Sequence, residues 1–194
     1  MIVVFGGAFN PPTIAHYELA KHLLASPFVD ELILMPVGDH YNKSGMVTAE
    51  HRFRMLRKMV ENLPNVTVSR IEIDEPVALK TVETLEILQK MNPEKEFAFV
   101  MGADNLRDLP KWSQHEQLVE SFKMIIFDRD EFDVPALIRE NFPTQGDQFI
   151  IMKDFEKMDI SATLYRQNPT AAGLLLPVVT NYIRKHELYG HSGS

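Results

Sequence analysis

Two kinds of apolar pattern alternate along this chain. The first is short and rich in Val, Ile, Leu and Phe, nearly continuous at residues 2–5, 31–37, 96–101, 123–128 and 149–152 and alternating at 66–73. Runs of that length with little polar alternation predict strands covered on both faces. The second spaces its apolar residues three and four apart, at 14–25, 49–63, 80–91, 115–122, 135–141, 161–167 and 177–187. That spacing predicts helices with one buried stripe. In the helix predicted over 49–63, Phe53, Leu56, Val60 and Leu63 share a face, and Thr48 stands where an N-cap belongs. Strands alternating with helices predict an α/β fold, a doubly wound, mostly parallel sheet with helices on both faces.

In open α/β sheets, ligands bind beyond the carboxyl ends of the strands. The stretches 6–16, 38–43 and 102–112 follow the first, second and fourth predicted strands, and the sequence is unusual in all three. In the first, Gly6 and Gly7 remove Cβ atoms where the backbone must turn or a ligand come close. Pro11 and Pro12 stiffen the loop, and Thr13 can cap the helix that starts at Ile14. His16 then lies in the first helical turn, at the positive end of the helix dipole beside free N–H groups, which suits an anion. Local physics fits an ordinary turn with a half-buried histidine equally well. The stretch is neither GxGxxG nor a Walker A loop.

A second candidate is Ile160-Ser161-Ala162-Thr163-Leu164-Tyr165-Arg166. Ser161 reads as an N-cap, and Thr163 and Arg166, three apart, share a helix face. A hydroxyl and an arginine fork suit a phosphate chain, and the same residues suit a capped surface helix. A third is Gly102-Ala103-Asp104-Asn105, followed by Leu109-Pro110-Lys111-Trp112, which holds the only tryptophan. A lone Trp serves core packing more often than ligand stacking.

Composition narrows the class. Of 194 residues, 45% are hydrophobic and 24% charged, in the range of a globular protein. No apolar run approaches the ~20 residues of a membrane span, and MIVVFGG lacks the features of a signal peptide. There is no cysteine, so disulfides and thiolate metal sites are excluded, and a cytoplasmic location is expected. The net charge of −7, without a basic run, argues against nucleic acid as partner but not against a small anion in a local cleft. No repeat or linker divides the chain. One domain is expected over 1–190, with HSGS at 191–194 as a disordered tail. The sequence leaves open a monomer or a homo-oligomer.

The motifs carry a resemblance. GGAFNPPTIAH resembles the GG(T/S)FDPxHxGH signature of the adenylyltransferases related to class I aminoacyl-tRNA synthetases, with Thr13-Ile14-Ala15-His16 standing for (H/T)xGH. Ala15 for Gly departs from the pattern, as does Asn10 for Asp, both of which cap turns well. ISATLYR resembles that superfamily's ISxTxxR, which holds ATP phosphates. GADNLRDLPKW resembles the G(A/G/Q)D…W segment of nicotinate-nucleotide adenylyltransferases, in which the Asp binds ribose hydroxyls and the Trp stacks on the pyridine ring. TVETL at 81–85, AEHRFRML at 49–56 and the tail LLPVVTNYIRKHELYG are similar to further segments of that family, and the tail reads as a helix packing Val, Tyr and Ile on the sheet.

The resemblance implies a Rossmann-like fold and adenylyl transfer from ATP to nicotinate mononucleotide in NAD biosynthesis. It implies His16, Lys43 and Arg166 as catalytic residues. ATP would meet Gly6, Gly7, Ala8, Phe9, Thr13, His16, Lys43, Gly102, Asp104, Ile160, Ser161, Thr163 and Arg166. The mononucleotide would meet Thr81, Thr84, Leu109 and Trp112. Mg2+ would accompany ATP, with no dedicated protein cage. Two departures stand out. The loop VGDHYNK replaces a PPHK-like loop and keeps only Lys43. Asp128-Arg129-Asp130-Glu131 replaces an RPG-like turn, and its acidic residues favour a surface ion pair for Arg129. Rival readings are a phosphopantetheine or nicotinamide-mononucleotide adenylyltransferase and a catalytically silent nucleotide sensor.

Overall fold

The computed structural model describes residues 1–41, 45–127, 132–153, 155, 158 and 160–190. Six strands form one parallel sheet: β1 (Ile2–Gly7), β2 (Glu31–Pro36), β3 (Val66–Val68), β4 (Phe97–Gly102), β5 (Lys123–Phe127) and β6 (Phe149–Met152), in spatial order β3-β2-β1-β4-β5-β6. Between them lie α1 (Ile14–Leu24), α2 (Ala49–Val60), α3 (Ile71–Asp74), α4 (Thr81–Met91), α5 (Ala103–Asp108), α6 (His115–Ser121) and α7 (Val134–Asn141). After β6 come α8 (Ala162–Gln167) and α9 (Pro177–Lys185). This is the Rossmann-like, doubly wound fold that the alternation predicts. No helix among the described residues is long and apolar enough to cross a membrane.

Both faces of the sheet are covered because successive side chains point to opposite sides. Val3, Leu32 and Leu34 pack with Leu19, Leu23, Leu56, Val179 and Ile183 on one face. Ile2, Val4 and Met35 pack with Val82, Leu85 and Leu118 on the other. The tail helix α9 buries Val179, Tyr182 and Ile183, as its pattern predicts.

The strand order reverses between β1 and β4. There Ile2, Val3 and Val4 pair with Phe97, Ala98 and Phe99, whereas β1 and β2 pair along all six residues. Beyond Val4 and Phe99 the two strands no longer pair, although each runs on to a glycine, Gly7 and Gly102. A crevice at this switch point is where such a sheet takes its ligand.

Two expectations change. The strand predicted over 66–73 ends at Val68, and residues 71–74 form α3. The ladder runs out because Pro36, which has no N–H, ends the β2 partner, and Ser69 Oγ accepts the Ile71 N–H at the bend. Thr48 makes no side-chain cap on α2. Asp39, from the loop after β2, accepts the Ala49 N–H at 2.6 Å instead. The stretch after β4, to which the pattern assigns no element, is α5 followed by a 3-10 turn over Leu109–Lys111. Residues 191–194 lie outside the described residues.

Candidate active site

The corner between β1 and α1 is shaped by Phe9. Its backbone is left-handed, φ 47°, a conformation that costs a non-glycine residue about 1–3 kcal/mol. Burial of its ring offsets this. Phe9 is 2% exposed and lies edge-on to Phe5 at 5.3 Å and to His16 at 5.1 Å. A Cβ on Gly7 would stand 3.3 Å from that ring, so the corner leaves little room there for a larger residue.

Thr13 is the extended N-cap of α1, and His16 is the third residue of the helix. The Thr13 N–H donates to His16 Nδ1 at 2.9 Å, and Thr13 Oγ1 lies 2.8 Å from the same nitrogen. A backbone N–H can only donate, so Nδ1 is the acceptor and the neutral ring carries its proton on Nε2. The cap thus fixes both the ring's orientation and its tautomer, and Nε2 becomes a directed donor beside the first turn of α1.

Asn10, 3% exposed, ties the corner to distant segments. Its Nδ2 donates to Gly45 O at 3.1 Å, and its Oδ1 accepts from Val47 N–H at 3.2 Å and from the Tyr189 hydroxyl at 2.6 Å. Its carbonyl accepts from Arg166 Nη1 at 2.6 Å. Sequence reasoning takes Asn10 as a local turn cap, but its partners are long-range. An Asp here could not donate to Gly45.

Arg52 supports the corner from below. It is fully buried, its Nε donates to Val47 O at 3.0 Å and its Nη1 to Ala8 O at 2.9 Å. Nη2 lies 3.5 Å from Asp39 Oδ1 but makes no hydrogen bond among the described residues. Burial pulls the guanidinium pKa down, and Asp39 opposes this.

The second motif meets the corner. Ser161 caps α8 by accepting the Leu164 N–H at 3.0 Å, as predicted. Arg166 Nη2 donates to Thr163 Oγ1 at 3.0 Å, so the two share a face, and Nη1 holds Asn10. Two stretches 156 residues apart are thereby joined. Ile160 is half-buried against the sheet face that carries Val3. Lys43 and Arg129 lie outside the described residues.

On the far side of the crevice, β4 ends at Gly102. A Cβ there would stand 2.5 Å from Asp104 Oδ1, so glycine makes room for the aspartate of α5. Trp112 is half-buried, edge-on to Phe99 at 6.4 Å, and a Cβ on Gly6 would stand 3.1 Å from the same Phe99 ring. The Phe99 ring thus lies beside both Gly6 and Trp112.

Two residues expected to touch the mononucleotide are buried. Leu109 has no exposed side chain, and its carbonyl accepts the Trp112 N–H at 2.9 Å. Thr84 is 2% exposed, and its hydroxyl donates to Glu72 Oε1 at 2.8 Å. That hydroxyl is spent within the protein and is not an open donor for a substrate carboxylate. Burial holds the Glu72 carboxyl above the usual carboxylate range, with the Thr84 hydrogen bond opposing. Thr81, at the start of α4, is half-buried and remains accessible.

Sequence reasoning missed Arg52, Glu72 and Tyr189. Arg52 did leave a signal, because it interrupts the apolar stripe Ala49, Phe53, Leu56 at a core position of α2. Glu72 and Tyr189 left none, since their partners come from other segments. Among the described residues no group of three or more His, Asp and Glu could hold a metal ion.

The profile of the cytidylyltransferase-like family matches residues 4–168. The "Probable nicotinate-nucleotide adenylyltransferase" of Acholeplasma laidlawii is 32% identical over 191 residues, covering 97% of this chain and 97% of that protein. The protein of the same printed name from Bacillus pumilus is 30% identical over 194 residues, again covering 97% of each. Among solved structures, the Plasmodium falciparum nicotinic acid mononucleotide adenylyltransferase complexed with APC matches with a TM-score of 0.80 at 20% identity, over 100% of this chain and 98% of that one. The same protein complexed with NaAD gives 0.79 at 22%, with the same coverage. At these identities the two structures bear on the fold.

Proposed function

This chain belongs to the cytidylyltransferase-like family and, within it, to the nicotinate-nucleotide adenylyltransferases, and on that premise we propose that it joins MgATP and nicotinate mononucleotide to give deamido-NAD and pyrophosphate in NAD biosynthesis. The observation that best supports this chemistry is the corner itself, where a tautomer-fixed histidine and an arginine from the second motif converge on one loop.

The phosphate of the mononucleotide is already a nucleophile at neutral pH. Its oxygen forms a bond to the α-phosphorus of ATP as the bond to the β-phosphate oxygen breaks, and pyrophosphate leaves with that electron pair. No covalent enzyme intermediate is required. The protein's work is alignment and stabilisation of charge on the phosphate oxygens. His16 Nε2–H donates to an α-phosphate oxygen as charge builds there. The first turn of α1, an eleven-residue helix, adds backbone N–H groups to the same field. Arg166 holds the β and γ phosphates, with Lys43 as its partner from the loop after β2. Mg2+ enters as part of the ATP substrate, bound through phosphate oxygens and water. Asp104 receives ribose hydroxyls and Trp112 stacks on the pyridine ring. With Thr84 committed to Glu72, the nicotinate carboxylate is read by backbone N–H groups at the start of α4. A cytoplasmic location belongs to this reading, supported by a chain without cysteine.

The test is stoichiometry. MgATP and nicotinate mononucleotide together should give one pyrophosphate per dinucleotide formed, and MgATP alone should give none. Pyrophosphate released without the mononucleotide, or no release with both, would rule out direct transfer.

A further inference from the structure

We infer that Tyr189, in the C-terminal turn, is a positioning residue for Arg166 that acts through Asn10 and Tyr165. The inference rests on the adenylyl-transfer reading only in giving Arg166 the ATP phosphates as its ligand. Tyr189 lies 179 residues from Asn10, yet its hydroxyl donates to Asn10 Oδ1 at 2.6 Å. Its ring stands edge-on to Tyr165, with centroids 5.8 Å apart and planes at 90°. Tyr165 precedes Arg166 on α8 and is 2% exposed. Tyr189 therefore touches the corner with its hydroxyl and α8 with its ring.

Those two elements are the ones that Arg166 joins. Its Nη1 bonds the carbonyl of Asn10, and its Nη2 bonds Thr163 on α8. The guanidinium has five N–H donors, so it can keep both contacts and still meet an anion. Its direction then depends on where Asn10 and α8 stand relative to each other, and Tyr189 spans that gap. Asn10 has no slack to absorb the loss, since its amide is already shared among Gly45, Val47 and Tyr189.

The chain bends sharply to bring the phenol inward. Glu187 and Tyr189 are both left-handed, φ 52° and 57°, a conformation that non-glycine residues seldom adopt. Burial pushes the phenol pKa well up, against the pull of Arg52 and Arg166, so the hydroxyl stays a donor throughout the working range of pH. A tyrosine serving only to fill space would need neither the bend nor a bond to the residue that carries Arg166.

The test uses Tyr189→Phe, which keeps the ring and removes the hydroxyl. MgATP affinity, by calorimetry and as KM, should weaken roughly 3–10-fold, the worth of one hydrogen bond in a buried network. The KM for nicotinate mononucleotide should not move. In an Arg166→Ala background, Tyr189→Phe should change MgATP affinity no further. Tyr189→His, which keeps a ring and a donor, should fall between Phe and wild type, and it carries the measurement if the Phe variant does not fold. Unchanged MgATP affinity in Tyr189→Phe overturns the inference, as does an equal loss with and without Arg166. Calorimetry needs no turnover. A chain that binds MgATP with the expected coupling but makes no dinucleotide would therefore sink the transfer reading alone, and a chain that binds no MgATP would sink both.

Discussion

Arg52→Ala tests how the corner is held. Arg52 is fully buried, and it is the donor to the carbonyls of Val47 and Ala8. Truncation leaves both carbonyls short of a donor, at about 1–3 kcal/mol each if they stay buried. It also empties the space of a long side chain, and large-to-small core substitutions cost about 2–5 kcal/mol. Two effects reduce the sum. Water can enter the void, and the native state no longer buries a guanidinium whose Nη2 lacks a hydrogen bond among the described residues. Asp39, the ionic neighbour, is 60% exposed, so solvation replaces most of what it loses. The net expectation is a loss of about 3–5 kcal/mol, a large share of the roughly 5–15 kcal/mol that holds a typical domain. Urea unfolding followed by circular dichroism reads it directly. With a slope of about 2 kcal/mol per molar, the midpoint should fall by about 1.5–2.5 M. Arg52→Met separates the causes. Methionine refills volume but cannot donate, so it should recover the packing part and leave a deficit of about 2 kcal/mol or more. If Arg52→Met restores wild-type stability, or Arg52→Ala shifts the midpoint by less than about 0.5 M, the carbonyl clamp is not what holds the corner.

Three further outcomes are expected. His16→Ala should lower kcat by ~10²–10³, the range for losing one preorganised donor, with little change in the KM for the mononucleotide; near-normal turnover with early melting would mark a structural histidine instead. Trp112→Ala should weaken nicotinate mononucleotide binding by roughly 1–3 kcal/mol, read as KM, and leave MgATP binding alone. Glu72→Gln probes a carboxyl whose pKa burial raises. The folded state then holds this proton more tightly than the unfolded state, so the group's contribution to stability is full below its unfolded pKa and is lost as pH rises through the folded one. Relative to wild type, Glu72→Gln should therefore be more stable at pH ~7 than at pH ~4, and urea midpoints at the two pH values give the sign.

Much of the fold is legible because the inner strands β1, β2, β4 and β5 are largely buried and so read as short apolar runs. The exception is residues 66–73, where Ile71 and Ile73 keep an alternating look although the ladder has already ended at Val68 opposite Leu34. A strand's end is set by its partner, here by Pro36, and not by its own residues. At the site, Thr13 and His16 are legible because their bond is local, three residues apart, and so are Ser161, Thr163 and Arg166 on one short helix. Asn10 is half legible. Its place in a Gly-rich corner marks a turn, but partners 35, 37 and 179 residues away give it a different role. Thr84 shows the converse. A hydroxyl at the start of a helix beside the crevice reads as a ligand contact until burial and Glu72 claim it.

The claim that this chain transfers adenylyl groups to nicotinate mononucleotide is tested most directly by comparing acceptors. Pyrophosphate release from MgATP is measured with nicotinate mononucleotide, its nicotinamide analogue and phosphopantetheine, and kcat/KM is obtained for each. An amide presents donors where backbone N–H groups already point, leaving a buried group unpaired at a cost of ~1–3 kcal/mol. The account predicts release with nicotinate mononucleotide at a kcat/KM at least ~10-fold above the amide, and none with phosphopantetheine. Equal values for the two mononucleotides, a preference for the amide, or release with phosphopantetheine alone would contradict it.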